Sequence, residues 1–220
     1  MFHGRLGDKI YYVVNGKQYV RLAPDKPDRY TPSEGQRRTN RRFKMTQQLY
    51  QFYKRRVSPD VWRTAARELG RRADNLFHSV NCQYIDGEGR MADPAHFQFS
   101  AGPLSLPRDI EVASLGGGRY RATWRDERDS ATAAATDELR VGVLYDDELL
   151  EFNVASEVSG RRGDGGGEFR IDAERGTAHL YLYFARADGS AYSPPHHVHT
   201  ATRRDCVQTD AHTPPSLSPP

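Results

Sequence analysis

The sequence predicts an α+β chain: an N-terminal β-hairpin plus two or three helices, followed by a seven-stranded antiparallel β-sandwich. Three observations predict it. Two short runs rich in Tyr, Val and Ile flank Asn15-Gly16, apolar residues then recur at helical spacing as far as Val80, and from His96 onward they recur at every second position between Gly- and Asp-rich turns.

The hairpin is read from residues 9–14 and 17–22, with Asn15-Gly16 supplying the two positive-φ positions of a type I′ turn. Pro24, Pro27 and Pro32 then interrupt regular structure. A helix should begin between Thr31 and Ser33, where Thr31-Pro32-Ser33-Glu34 offers one capping box and Ser33 with Gln36 a second. Phe43, Thr46, Tyr50, Tyr53 and Val57 fall on one arc of that helix, and most of its arginines on the other. Ser58-Pro59-Asp60 reads as the start of a second helix, with Val61, Trp62, Ala65, Ala66 and Leu69 on its apolar face and Gly70 as a stop or a kink. A third short helix is expected over 73–80.

Seven strands follow at 96–100, 108–114, 119–124, 138–145, 149–154, 168–171 and 178–185, punctuated by Gly116 to Gly118, Asp146-Asp147 and Gly163 to Gly167. The Cys, Trp, Cys spacing of an antibody-type domain is absent. A fibronectin type III-like sandwich with Trp124 as a core aromatic on an early strand fits the pattern. The expected organisation is a hairpin and basic helical region at 1–92, the sandwich at 93–200, and a disordered tail at 201–220, which holds four prolines in its last seven residues.

Length and charge narrow the function classes. A chain of 220 residues holds one domain or two, and its 32 basic and 29 acidic side chains leave a net charge of only +3. That sum conceals a division. Residues 1–100 carry 19 Lys or Arg against 10 Asp or Glu, and residues 101–220 carry 13 against 19. No apolar run reaches the length of a membrane helix, and Met1-Phe-His-Gly-Arg5 lacks the apolar stretch of a signal peptide, so a cytoplasmic location or a place in a phage-like particle is expected. Cys82 and Cys206 define no disulfide framework.

The string Gly7-Asp8-Lys9-Ile10-Tyr11-Tyr12 with Asn15-Gly16-Lys17-Gln18-Tyr19-Val20-Arg21 resembles the opening of a bacterial family, common in Bacteroidota, known only as a domain of unknown function. Gln36 with Phe43, Trp62, Leu76-Phe77 with Asn81, Phe99-Ser100 with Gly102-Pro103-Leu104, Trp124, and Leu180-Tyr181-Leu182 with Phe184 resemble its later landmarks, over residues 4–199. The family pattern has Thr where Ser33 stands. The resemblance implies fold, since these are structural residues, and it implies no activity, cofactor or catalytic residue. The stretch from Gln36 to Phe43 is also similar to phage-like structural proteins in which a helical segment precedes a sandwich domain. That likeness implies an assembly role in a phage-like or cell-surface structure.

The strongest candidate surface is the basic helical segment, where residues 35–72 carry 12 basic and 2 acidic side chains. Arg37, Arg38, Arg41, Arg42, Lys44, Arg55, Arg56, Arg63 and Arg67 would contact nucleic acid or an acidic partner, because cations along one face displace counterions from phosphates. Tyr50, Phe52 and Tyr53 would stack bases if exposed and fill the core if not. His196, His197 and His199, with Cys206 and His212 beyond, are read as surface histidines and not as a metal site, because zinc ligands pair in tight turns. Asp146, Asp147 and Glu148 are read as a solvated turn instead of a calcium loop. No Gly-x-Ser-x-Gly, His-Glu-x-x-His or phosphate-loop motif is present. The sequence therefore points to a non-catalytic structural or interaction protein with no cofactor, no metal, no small-molecule substrate and no membrane, bound to a protein partner or a second copy. Nucleic-acid binding through residues 37–72 is the alternative.

Overall fold

A computed structural model describes residues 3–14, 16–24, 31–126 and 130–200. The chain is α+β and divides into two compact units, residues 1–37 and 38–220.

The first unit holds an antiparallel three-stranded sheet in the order β1 (Gly4–Leu6), β2 (Lys9–Val14), β3 (Lys17–Leu22). The β2 and β3 bounds match the expected hairpin, and β1 adds a strand that was not foreseen. Gly16 has φ +76°, as the turn requires, while Asn15 lies outside the described residues. Helix α1 (Glu34–Arg56) starts on the second capping box. The Ser33 N–H donates to Gln36 Oε1 at 2.8 Å and the Gln36 N–H to Ser33 Oγ at 3.3 Å, so two otherwise orphaned helix donors are satisfied.

In the second unit, α1 buries Thr46, Leu49, Tyr50 and Tyr53. Phe43, expected on this face, is 49% exposed, with the His78 ring edge-on at 4.8 Å; Leu49 takes its place, so the buried arc is rotated from the expected one. The buried Thr46 hydroxyl donates to the Arg42 carbonyl one turn back at 2.8 Å. Helix α2 (Asp60–Glu68) follows Ser58, whose Oγ accepts the Asp60 N–H at 3.1 Å. It ends in a Schellman turn: Gly70 has φ +61°, its N–H donates to the Arg67 carbonyl at 3.1 Å, and the Arg71 N–H reaches back to the Ala66 carbonyl at 2.9 Å. That turn leaves Leu69 outside the core, 61% exposed, against expectation. Helix α3 (Ala73–Asn81) completes the helical layer.

Two antiparallel sheets follow. One has the order β4 (Arg108–Gly116), β5 (Arg119–Arg125), β8 (Gly166–Arg170). The other has the order β10 (His196–Thr200), β9 (Ala178–Ala185), β6 (Glu138–Tyr145), β7 (Asn153–Val154). The expected strand at 96–100 does not form. Phe97 and Phe99 are both buried, which produced the period of two, but between them the Gln98 backbone pairs with the Asn81 side chain and not with a strand. Of the expected 149–154 strand only Asn153–Val154 pairs, and β10, unforeseen, is the seventh strand of the two sheets.

The central strands β6 and β9 are covered on both faces, which explains their nearly continuous apolar sequences. Toward the three-stranded sheet, Leu139, Val141, Val143, Leu180, Leu182 and Phe184 pack with Tyr120, Ala122, Trp124 and Phe169. On the opposite face, Leu144, Tyr181 and Tyr183 pack with Tyr53, Trp62, Phe77, Phe97, Phe99 and Phe152. The helices expected in a region at 1–92 thus share a core with the four-stranded sheet, whose strands fall in the domain expected at 93–200. The expected tail at 201–220 lies outside the described residues. No helix among the described residues is long and apolar enough to cross a membrane.

Candidate functional site

The basic helical segment lies in α1, in α2 and in the turn after α2, and intramolecular partners hold much of it. Arg37 pairs with Glu34 at 3.0 Å, Arg41 with Glu88 at 3.4 Å, Arg56 with Glu151 at 3.5 Å and Arg63 with Asp60 at 3.1 Å. Arg41 also donates to the Gly87 carbonyl at 3.0 Å, and Arg38 lies beside Gly87. The Arg55 guanidinium sits 5.1 Å over the Phe52 ring. Arg42 is half-buried with its Nε lacking a hydrogen-bond partner, and Lys44 is exposed. Tyr50 and Tyr53 are core residues, which leaves Phe52 as the only water-facing member of the aromatic trio. Arg63 and Arg67 do come together: with Lys54, Arg71 and Arg72 they line a cleft of about 580 Å³ beside Tyr50 and Asp74.

A second feature is the N-terminal sheet. The β2–β3 register sets Tyr11 opposite Val20, Val13 opposite Gln18 and Lys9 opposite Leu22, and β1 sets Leu6 opposite Lys9. Residues directly opposite each other share a face and alternate along each strand, so Leu6, Tyr11, Val13, Val20 and Leu22 all lie on one side. Leu6, Val13, Val20 and Leu22 are 65, 37, 55 and 68% exposed.

The third feature is a histidine–aspartate cluster assembled by three strands. Register pairs His199 on β10 with His179 on β9, and His179 with Leu144 on β6, two residues before Asp146. Asp146 accepts from both imidazoles, His179 Nε2 to Oδ1 at 3.1 Å and His199 Nε2 to Oδ2 at 3.0 Å, and its Oδ2 also accepts from the Thr177 hydroxyl. The two imidazole rings stack with centroids 4.3 Å apart. Behind them, His179 Nδ1 lies 2.8 Å from His197 Nε2.

Burial and hydrogen bonding shift three of these groups. Burial, with help from neighbouring His199, pushes the His179 imidazole below its ordinary value. Burial and the surrounding histidines push His197 down to about 4. Burial alone would raise the Asp146 carboxyl, but hydrogen bonds from Thr177 and His199 outweigh it and hold it below the usual carboxylate range. Asp147 and Glu148 are occupied elsewhere, at 2.8 and 3.5 Å from Arg175, so the expected acidic turn divides between an arginine and the histidines.

Of the residues weighed in the sequence for metal binding, the structure brings His199 to Asp146 and His197 to His179, while Cys206 and His212 lie outside the described residues. His179 was not singled out, because it sits second in the apolar run of β9. Only strand register unites it with His199, and register is not written in local pattern. A scan against protein-family models and a search of the curated proteins both find no match to this chain.

Proposed function

We propose that this chain is a non-catalytic interaction module that assembles with another protein surface, a second copy being the simplest, through the apolar face of its N-terminal sheet. The observation that carries the reading is the gathering of Leu6, Val13, Val20 and Leu22, each more than a third exposed, on one side of a sheet only three strands wide. A contiguous apolar patch on an exposed sheet face is the kind of surface that a protein partner covers. The resemblance to phage-like structural proteins favours an assembly component of a phage-like or cell-surface structure. A fibronectin type III-like sandwich is supported by the strand orders β4-β5-β8 and β10-β9-β6-β7 and by Trp124 on the second strand, whose indole N–H donates to the Arg162 carbonyl at 2.8 Å. Sedimentation velocity of the full chain tests the assembly role. Concentration-dependent association, weakened by Val20→Lys, supports it; a monomer at every concentration and no protein retained in pull-downs contradicts it.

A second reading, nucleic-acid binding, is favoured by the cleft where Lys54, Arg63, Arg67, Arg71 and Arg72 converge. Five phosphate contacts on duplex DNA would give a slope of about −4.5 in log affinity against log salt. Absence of binding to DNA and RNA at low ionic strength removes this reading.

A further inference from the structure

We propose that Asp146, His179 and His199 form a binding site for a single zinc ion, with His197 as the residue that positions His179. Zinc favours tetrahedral coordination by imidazole nitrogen and carboxylate oxygen at about 2.0–2.2 Å, which puts neighbouring ligand atoms about 3.3 Å apart. The two Nε2–Oδ separations here are 3.1 and 3.0 Å, and one ligand atom from each of the three residues fits within a 4.8 Å span. Replacing the imidazole protons that now face Asp146 by one cation therefore needs side-chain adjustment without backbone movement.

The ligands are held on different elements that converge through sheet register. His179 and His199 are cross-strand partners on β9 and β10, and Asp146 opens the turn after β6, where its N–H donates to the Thr177 carbonyl at 3.1 Å. The outer shell fits as well. A zinc-bound His179 Nε2 requires its proton on Nδ1, and Nδ1 lies 2.8 Å from His197 Nε2, which would accept that proton's hydrogen bond. Asp146 and His199 are exposed, so three protein ligands leave the remaining coordination position to water or to a group from outside the chain.

The proposal is independent of the assembly role, since no residue of the N-terminal sheet takes part. It is tested on the full chain made without a histidine tag and stripped with a chelator, by competition of Zn²⁺ against a chromogenic chelator and by the visible spectrum of the Co²⁺ form. One equivalent of Zn²⁺ should bind, and Co²⁺ should give the intense bands of a tetrahedral or five-coordinate site. Asp146→Asn and His199→Gln alter exposed side chains and should leave the fold intact by circular dichroism while weakening Zn²⁺ binding at least ~10-fold. His197→Phe should weaken binding and shift the Co²⁺ bands, and His197→Gln, which keeps an acceptor, should recover both. Cys206→Ser with His212→Gln should change nothing. The proposal is overturned if the wild type binds no zinc, if Asp146→Asn and His199→Gln bind as tightly as the wild type, or if the Cys206 and His212 substitutions abolish binding.

Discussion

Arg162 opens a 3₁₀ turn (Arg162–Asp164) and is 1% exposed, as is Asp137, whose carboxylate lies 3.6 Å from the Arg162 guanidinium. The guanidinium also lies 3.7 Å from Asp126 and 4.9 Å from the centre of the Phe184 ring, and it donates to the Ser105 carbonyl. Two unit charges 3.6 Å apart attract by roughly 4–5 kcal/mol at an effective dielectric of about 20. Desolvation of both groups offsets much of that, so the pair adds little net stability. Breaking it leaves Asp137 buried and uncompensated, which costs about 3–5 kcal/mol. Arg162→Met keeps most of the stem volume and removes the charge. It should lower the urea-unfolding free energy by about that amount, equivalent to roughly 6–20 °C in Tm at 2–4 °C per kcal/mol. Fluorescence of Trp62 and Trp124 reports both cores in one transition. Arg162→Met with Asp137→Asn should cost clearly less than the sum of the singles, because the second change removes the stranded charge. Single substitutions that each cost under ~1 kcal/mol and add without coupling would refute the reasoning.

Other consequences are local. A methyl group added at Gly142 on β6 would lie 2.3 Å from the Phe99 ring, which is fully buried and stacked on Tyr181 at 5.2 Å, so Gly142→Ala should cost about 1–3 kcal/mol by urea unfolding, and Phe99→Leu in the same chain should partly restore it. Asn81→Ala strands the Gln98 N–H and carbonyl that the amide now holds at 2.9 and 3.1 Å; a loss of about 2–4 kcal/mol is expected, with faster exchange of the Gln98 amide proton. Hydrogen bonds from Arg121 and then Arg119 hold the Glu168 carboxyl below its ordinary 4.5. Its contribution is therefore present above pH 4.5 and lost as pH falls through the lower folded value, so any stability gap between the wild type and Glu168→Gln at pH 7 should close in acid.

Where local pattern and tertiary role coincide, the sequence was readable. β6 and β9 begin and end where their apolar runs do, and α1 starts at the Ser33–Gln36 box. Elsewhere the local signal was true but its partner was misjudged. Phe97 and Phe99 alternate inward as strand residues would, yet a helix-borne asparagine occupies the place of the neighbouring strand. β10 was missed because three of its five residues are histidines following Pro194 and Pro195, and its pairing comes from β9. The candidate site was legible in halves. The sequence drew attention to His197 and His199 and, separately, to Asp146. Only the register of β9 against β6 and β10 joins them through His179. The arginine face was visible throughout, but not the carboxylates on distant elements, such as Glu88 and Glu151, that share it.

The proposed assembly role rests on the face that presents Leu6, Val13, Val20 and Leu22. Sedimentation equilibrium of the full chain over a wide concentration range, beside the Val20→Lys and Leu22→Lys variants, tests it most directly. The wild type should associate reversibly, and both variants should weaken that association while their helical and sheet signals persist. A wild-type chain that stays monomeric at its highest soluble concentration and retains no protein partner would contradict it.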